Sequence, residues 1–154
     1  MPISRLALAL KPGREVLVAV VLLCSLTLVP TGQATDGRDF AGFYEISNVT
    51  DLGGTVRVTL TVRVFNYSDA DVTSATVTLQ DSLQADTDYG SYPVPISIAN
   101  RESARLSTDF TIPRTEYDRW QNGGTPPLRI QYSDSVGNTV QRMIELAAGL
   151  AGEE

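Results

Sequence analysis

The chain has 154 residues, a formal net charge of −6 and a hydrophobic content of 42%, which suit one globular domain. The negative charge disfavours binding to nucleic-acid phosphates and to anionic lipid. The sequence has no histidine, a single cysteine, Cys24, and a single lysine, Lys11. Beyond residue 34 it therefore lacks the imidazole, thiol and amine of Ser-His-Asp, Cys-His and Ser-Lys catalytic sites and of His or Cys zinc sites. We expect a protein that is not an enzyme and that has no cofactor.

The N-terminal segment has the order of a secretory signal peptide. Basic residues precede an apolar run at 16–29, and Pro30 and small residues up to Ala34 follow. The pattern predicts cleavage after Ala34 and export to the periplasm or the extracellular space. The apolar run is shorter than the roughly 20 residues of a comfortable membrane span, so an uncleaved anchor at 16–29 is the alternative. Leucine, not a small residue, precedes Cys24, which disfavours lipidation.

Beyond residue 34 the hydrophobic pattern has period two. In the clearest segment, 55–65, valine and leucine at even positions alternate with threonine and arginine at odd positions, which predicts a strand with one buried face. The same criterion predicts strands at 40–49, 55–65, 72–79, 96–98, 104–112, 128–132 and 139–146, and one helical turn at 114–120. The polar stretch 81–95, with Gly90, Pro93 and Pro95, predicts a long loop or an irregular edge.

About seven short strands with short links leave no room for helical crossovers, which favours an all-β, antiparallel β-sandwich over a parallel sheet. A closed barrel is the alternative. We assign this domain to residues 35–147, after a signal segment at 1–34 and before a frayed acidic tail at 148–154.

Two segments resemble bacterial cell-surface immunoglobulin-like or fibronectin type III-like repeats. Residues 56–72, VRVTLTVRVFNYSDADV, have the alternating strand, the Asn-x-Ser-Asp turn and the valine that opens the next strand. Residues 100–112 resemble the later turn and strand of those domains. The resemblance implies an immunoglobulin-like sandwich and a role in adhesion, spacing or assembly, although a fold does not by itself fix a function.

Tyrosine and tryptophan in the polar loops are the candidate binding residues: Tyr89, Tyr92, Tyr117 and Trp120. Such side chains anchor protein interfaces and stack on sugars. For Trp120 we favour the alternative that it closes one end of the core.

The acidic loop residues allow two other interpretations. Asp69, Asp71, Asp86 and Asp88 are weak calcium candidates, because calcium prefers loop carboxylates, but no EF-hand spacing is present. Paired catalytic carboxylates of the glycosidase type, drawn from Asp86, Asp88, Glu116 and Asp118, are the less favoured interpretation. Asn48 and Asn66 each begin a glycosylation sequon.

The sequence as a whole predicts a non-catalytic, exported binding or assembly module of the cell envelope. A protein partner in the envelope is the favoured ligand, contacted by the loops 81–95 and 114–127 or by an exposed edge strand. A carbohydrate-binding domain is the alternative, and a calcium-stabilised adhesion module is the second alternative.

Overall fold

A computed structural model of the chain describes residues 39–149. They form an all-β domain with one short helix. The elements are β1 (Phe40–Asp51), β2 (Thr55–Asn66), β3 (Val72–Gln80), β4 (Asp88–Ser91), β5 (Ile96–Ile98), β6 (Ser103–Pro113), α1 (Arg114–Gln121), β7 (Leu128–Ser133) and β8 (Thr139–Ala148). Within the described part of the chain, no helix is long and apolar enough to span a membrane. The predicted signal segment at 1–34 lies outside the described residues.

The seven predicted strands are confirmed, with ends shifted by one or two residues. The helical turn predicted at 114–120 is α1. The stretch 81–95, predicted as a loop or irregular edge, contains the additional short strand β4. Its third residue, Gly90, has φ +142, a conformation that glycine adopts without the strain of a side chain.

The strands hydrogen-bond in the order β4-β3-β7-β8-β1-β2-β6, and β5 also pairs with β3. One pairing corrects the expectation of a purely antiparallel fold: β1 and β8 run parallel from Ala41 opposite Glu145 to Tyr44 opposite Ala148. Strand β8 reaches β1 because its first half pairs with β7 and its second half with β1. The result is a mixed, nearly closed sheet.

The core lies between the inward faces of these strands. All five aliphatic residues at even positions of β2, from Val56 to Val64, are completely buried, and the odd positions between them lie on the opposite face, where Thr61 alone is also buried. Burial of alternate residues is the period that the sequence shows, and it removes the apolar face of β2 from water. Leu79, Leu128 and Ile130 supply the facing side.

Two bulges adjust the strands where a residue adopts positive φ. Asn48, at φ +48, lies in β1 where the register against β2 shifts between Ser47 and Thr50. Ser74, at φ +52, lies at the shift in the pairing of β3 with β5. An extra residue in one strand bends and twists it. These bulges help a mixed sheet to curve toward closure.

Candidate functional site

Two of the four predicted binding aromatics lie in the core. The ring of Tyr92 packs edge-on against Phe110, with centroids 5.4 Å apart, and its hydroxyl donates to the carbonyl oxygen of Leu60 at 3.1 Å. Burial raises the pKa of Tyr92 above its ordinary value. Trp120 is also buried, as we favoured from the sequence. Neither ring is therefore open to a ligand in this structure.

Trp120 is part of a polar cluster around Glu116, a buried carboxylate in the first turn of α1. Glu116 Oε1 accepts hydrogen bonds from Trp120 Nε1 at 2.8 Å and from Arg119 Nη2 at 3.0 Å. The hydroxyl of Ser82 donates to the same oxygen. A buried carboxylate needs such partners because it has lost its hydration. The cluster joins α1 to the loop that follows β3.

The loop is held from its other end by Tyr89, which is half-buried. Its hydroxyl donates to Asp81 Oδ2 at 2.6 Å, while Asp81 Oδ1 accepts the backbone N–H groups of Leu83 and Gln84. Desolvation, and then the bond to Asp81, raise the pKa of Tyr89. Tyr117 is half-buried and packs against the core. The segments 81–95 and 114–127 thus meet through the bond from Ser82 to Glu116, and the aromatic residues predicted to bind a ligand hold the two segments in place.

The calcium candidates do not converge. Asp71 accepts the backbone N–H of Asn100 at 2.8 Å, and Asp88 pairs with Arg129 at 2.9 Å. Asp69 and Asp86 are exposed in separate turns. Among residues 39–149, no three acidic side chains are grouped so as to hold a metal ion.

A surface feature that we did not predict lies on the outer face of β1 and β2. The ring of Phe65 stacks on Tyr67 with centroids 6.0 Å apart and an interplanar angle of 13°. Phe43 meets Phe65 edge-on at 6.1 Å, and the guanidinium of Arg63 lies 5.3 Å from the centroid of the Phe65 ring. Tyr67 is 56% exposed. We call the three rings Phe43, Phe65 and Tyr67 the aromatic cluster.

The aromatic cluster borders a groove of about 240 Å³. The groove is lined by Ala41, Gly42, Phe43, Phe65, Tyr67, Glu145, Leu146 and Ala147. Three strands create it: Ala41 of β1 lies opposite Phe65 of β2 on one side and Glu145 of β8 on the other. Directly opposite residues share a face of the sheet, so the parallel β1–β8 pairing places a carboxylate beside the rings.

The remainder of this outer face, across β2 and β6, is polar. Thr59 donates to Asp109 at 2.6 Å, and the hydroxyls of Thr61 and Ser107 are 2.9 Å apart. The groove therefore joins an aromatic wall to a surface of hydroxyl and charged groups, and it can receive a ligand with both an apolar and a hydroxylated side.

One sequence signal pointed to this cluster. Phe65 lies at an odd position of β2, as Arg57 and Arg63 do. The alternation therefore indicates that its aromatic ring lies on the outward face of the strand, where a polar side chain is usual. Phe43 alternates in the same way with the buried Tyr44. No sequence pattern indicated that Glu145 lies beside these rings, since its position depends on the parallel pairing of β8 with β1.

No protein-family model matches the chain, and no curated protein matches it. Among solved structures, it is similar to a GH20 exo-β-N-acetylglucosaminidase from Vibrio harveyi, as an inactive mutant and in complex with N-acetylglucosamine. The identity is 15% and the TM-score 0.41 in both cases, over 74% and 75% of this chain. The match spans only 19% of those chains. A likeness this low carries no conclusion about fold or activity.

Proposed function

We propose that this protein is an exported, non-catalytic binding module that takes a carbohydrate into the groove beside the aromatic cluster. The observation that supports it most is the half-exposed ring of Tyr67, stacked on Phe65 at the border of a hydroxyl-rich sheet face. Buried aromatics are ordinary core, whereas a stacked pair on an outward face is an amphipathic contact surface.

The chemistry of the groove favours a sugar ring. A pyranose has an apolar C–H face, which suits the Tyr67 ring, and a rim of hydroxyls, which suits the carboxylate of Glu145 as an acceptor. A volume of about 240 Å³ lies below the range of about 300–1,000 Å³ for drug-sized ligands. The groove therefore suits a single sugar ring better than a larger ligand.

The stacked arrangement prepares the site for binding. Arg63 lies against one side of Phe65 and Tyr67 stacks on the ring as well, so the aromatic wall is ordered before a ligand arrives. Ordering side chains on binding costs roughly 0.5–1.5 kcal/mol for each rotamer-rich residue. A preformed wall avoids much of this cost.

We further propose that the domain is an immunoglobulin-like sandwich. The neighbours β1-β2-β6 correspond in order to strands A, B and E of that fold, and β3-β7-β8 to strands C, F and G. Export rests on the signal-like pattern of residues 1–34. A protein partner in the envelope is the second candidate ligand, favoured by β6, which lies at one end of the strand order.

The test is a titration of the full chain with tetrasaccharides of N-acetylglucosamine, glucose and xylose, followed by backbone amide NMR. Trp120 fluorescence is a poor reporter, because that residue is buried in the Glu116 cluster. We expect shifts at Tyr67, Glu145 and Ala147, and a Kd at least tenfold weaker in Tyr67→Ala.

The matched control is Val136→Ala, which shortens a side chain that is 78% exposed in a distant turn and should leave Kd unchanged. The proposal fails if no oligosaccharide moves the amides of the groove at millimolar concentration. It also fails if Tyr67→Ala and Val136→Ala bind alike. Shifts confined to β6 on addition of envelope protein would favour the second candidate.

A further inference from the structure

Strand β6 presents an unpaired edge. It pairs with β2 along its full length, from Ser103 opposite Phe65 to Pro113 opposite Thr55, and no described strand bonds to its other side. The chain between β4 and β5 carries Pro93 and Pro95, and proline cannot donate a ladder hydrogen bond. An 11-residue edge is long enough to accept another strand.

The register shows which backbone groups face that edge. Asn66 N–H donates to the carbonyl of Glu102, and Arg114 N–H donates to the carbonyl of Gly54, each at 3.0 Å. In an antiparallel pair, residues alternate between bonding inward and outward. With an unbroken register between those two bonds, the even-numbered residues of β6 bond to β2. The outward N–H and C=O groups belong to residues 103, 105, 107, 109 and 111.

Side-chain distances support this assignment. Opposite residues approach most closely where the pair is not hydrogen-bonded. The hydroxyls of Thr61 and Ser107 are 2.9 Å apart, and Thr59 bonds to Asp109 at 2.6 Å. In the alternation described above, these two residue pairs have no backbone hydrogen bonds between β2 and β6. The backbone N–H and C=O groups of Ser107 and Asp109 therefore point to the free edge.

We propose that a second copy of this chain pairs with this edge, with the two β6 strands antiparallel about a two-fold axis at Ser107. Each of the five outward residues would then exchange two backbone hydrogen bonds with its partner, and the sheet would continue from one copy into the other. The proposal does not depend on the ligand of the groove.

The charges of β6 select both the partner and the register. Arg105 and Asp109 lie on the same outer face, two residues before and two residues after Ser107. Under the two-fold axis, Arg105 of each copy lies opposite Asp109 of the other, and opposite charges across strands are stabilising. An axis at Arg105 or at Asp109 would instead place like charges directly opposite each other. The edge is therefore complementary to itself in one register.

The first experiment is thiol cross-linking of the full chain in a C24S background, which contains no other cysteine. Ser107→Cys places the two thiols at the axis, with Cα atoms about 5.5 Å apart. Thr111→Cys is the matched control on the same strand and face, where the two thiols would be about 27 Å apart along the strands. A short bismaleimide should link Ser107→Cys into dimers at least tenfold faster than Thr111→Cys.

The second experiment exchanges the charges and measures the dimer fraction by sedimentation velocity. Each of R105D and D109R should lose dimer at least tenfold, because like charges then face each other. An equimolar mixture of the two variants, and the double variant R105D/D109R, should regain it. Circular dichroism of each variant establishes that it is folded, since D109R also removes the bond from Thr59.

Equal cross-linking of the two cysteine variants would overturn the proposal. So would wild-type chain that remains monomeric at all concentrations, or folded single variants that dimerise as well as the wild type. Association driven by residues 1–34 would give folded single variants that dimerise as well as the wild type, and so would count against pairing through β6.

Discussion

Trp120 donates its indole N–H to Glu116 Oε1 across one turn of α1, at 2.8 Å, and both side chains are only 4% exposed. Pro113, which has φ −57 and no N–H, ends β6 and begins this helix, and Gly123, at φ +94, lies just beyond its end. The short helix therefore places one tryptophan and one carboxylate at the end of the core.

Glu116→Ala should lower the free energy of unfolding by about 2–4 kcal/mol, because it leaves the buried indole donor of Trp120, and the partly exposed guanidinium of Arg119, without their acceptor. Urea denaturation followed by circular dichroism measures the change. Glu116→Gln keeps an oxygen acceptor and should cost less. Asp118→Ala, an exposed position on the same helix, should change stability by less than about 0.5 kcal/mol. Similar losses in Glu116→Ala and Asp118→Ala would contradict the role of the cluster.

Asn66 is fully buried, and its amide joins three segments. Nδ2 donates to the carbonyls of Ala70 and Ile98 at 2.9 and 3.0 Å, and Oδ1 accepts the N–H and hydroxyl of Ser68. Asn66→Ala should therefore cost about 2–4 kcal/mol of unfolding free energy by urea titration. Because Asn66 is buried, the folded chain has no room for a glycan on the sequon that it begins. Asn48, which begins the other sequon, is exposed.

The control for this prediction is Asn100→Ala, in which the backbone N–H that bonds to Asp71 is retained. It should cost less than about 1 kcal/mol. If the two alanine variants unfold at the same urea concentration, the amide bonds of Asn66 do not stabilise the fold.

Gly42→Ala should separate β1 from β2. A Cβ at this position would collide with the carbonyl oxygen of Arg63, which is backbone and cannot rotate away. We expect a loss of about 1–3 kcal/mol, measured by thermal unfolding. Gly54→Ala is the matched control, since a Cβ there meets nothing within 4 Å. An unchanged Tm in Gly42→Ala would show that the close approach of the two strands is not required.

Acid should destabilise the protein through the aspartates that begin turns. The bond from the backbone N–H of Asn138 is the largest cause that lowers the pKa of Asp134 below its ordinary 3.8. For Asp81 the pKa is lowered first by the bond from Tyr89. A lowered pKa contributes stability that is present above about pH 4 and lost as pH falls through the folded value.

Asp134→Asn should therefore be less stable than the wild type at pH 7, and the difference in Tm should shrink as pH falls from 5 to 2. Asp86→Asn, in an exposed loop, is the control for the change of charge and should leave Tm at pH 7 nearly unchanged. A difference in Tm that grows toward low pH would contradict the sign of the lowered pKa.

Much of the fold was predictable because strands are local. In β2 and β6, side chains alternate between core and water, and the same alternation is present in the sequence. Strand β4 was not predictable, because Gly90 and the nearby prolines obscure a short pairing that depends on its contact with β3. The burial of Tyr92 is likewise a result of its contacts with Phe110 and Leu60, which lie far along the chain.

The sequence by itself determined the all-β class, the positions of the strands, and the lack of any histidine, cysteine or lysine beyond residue 34. These properties depend on residue identity and on a period of two. Only the tertiary structure decided which strands are neighbours. The parallel pairing of β1 with β8 brings Glu145 beside Phe43 and Phe65, and the position of β6 at the end of the order leaves its edge without a hydrogen-bonded strand. Period two specifies the face on which a side chain lies but not the strand beside it, because pairing is fixed by contacts between residues distant in the chain.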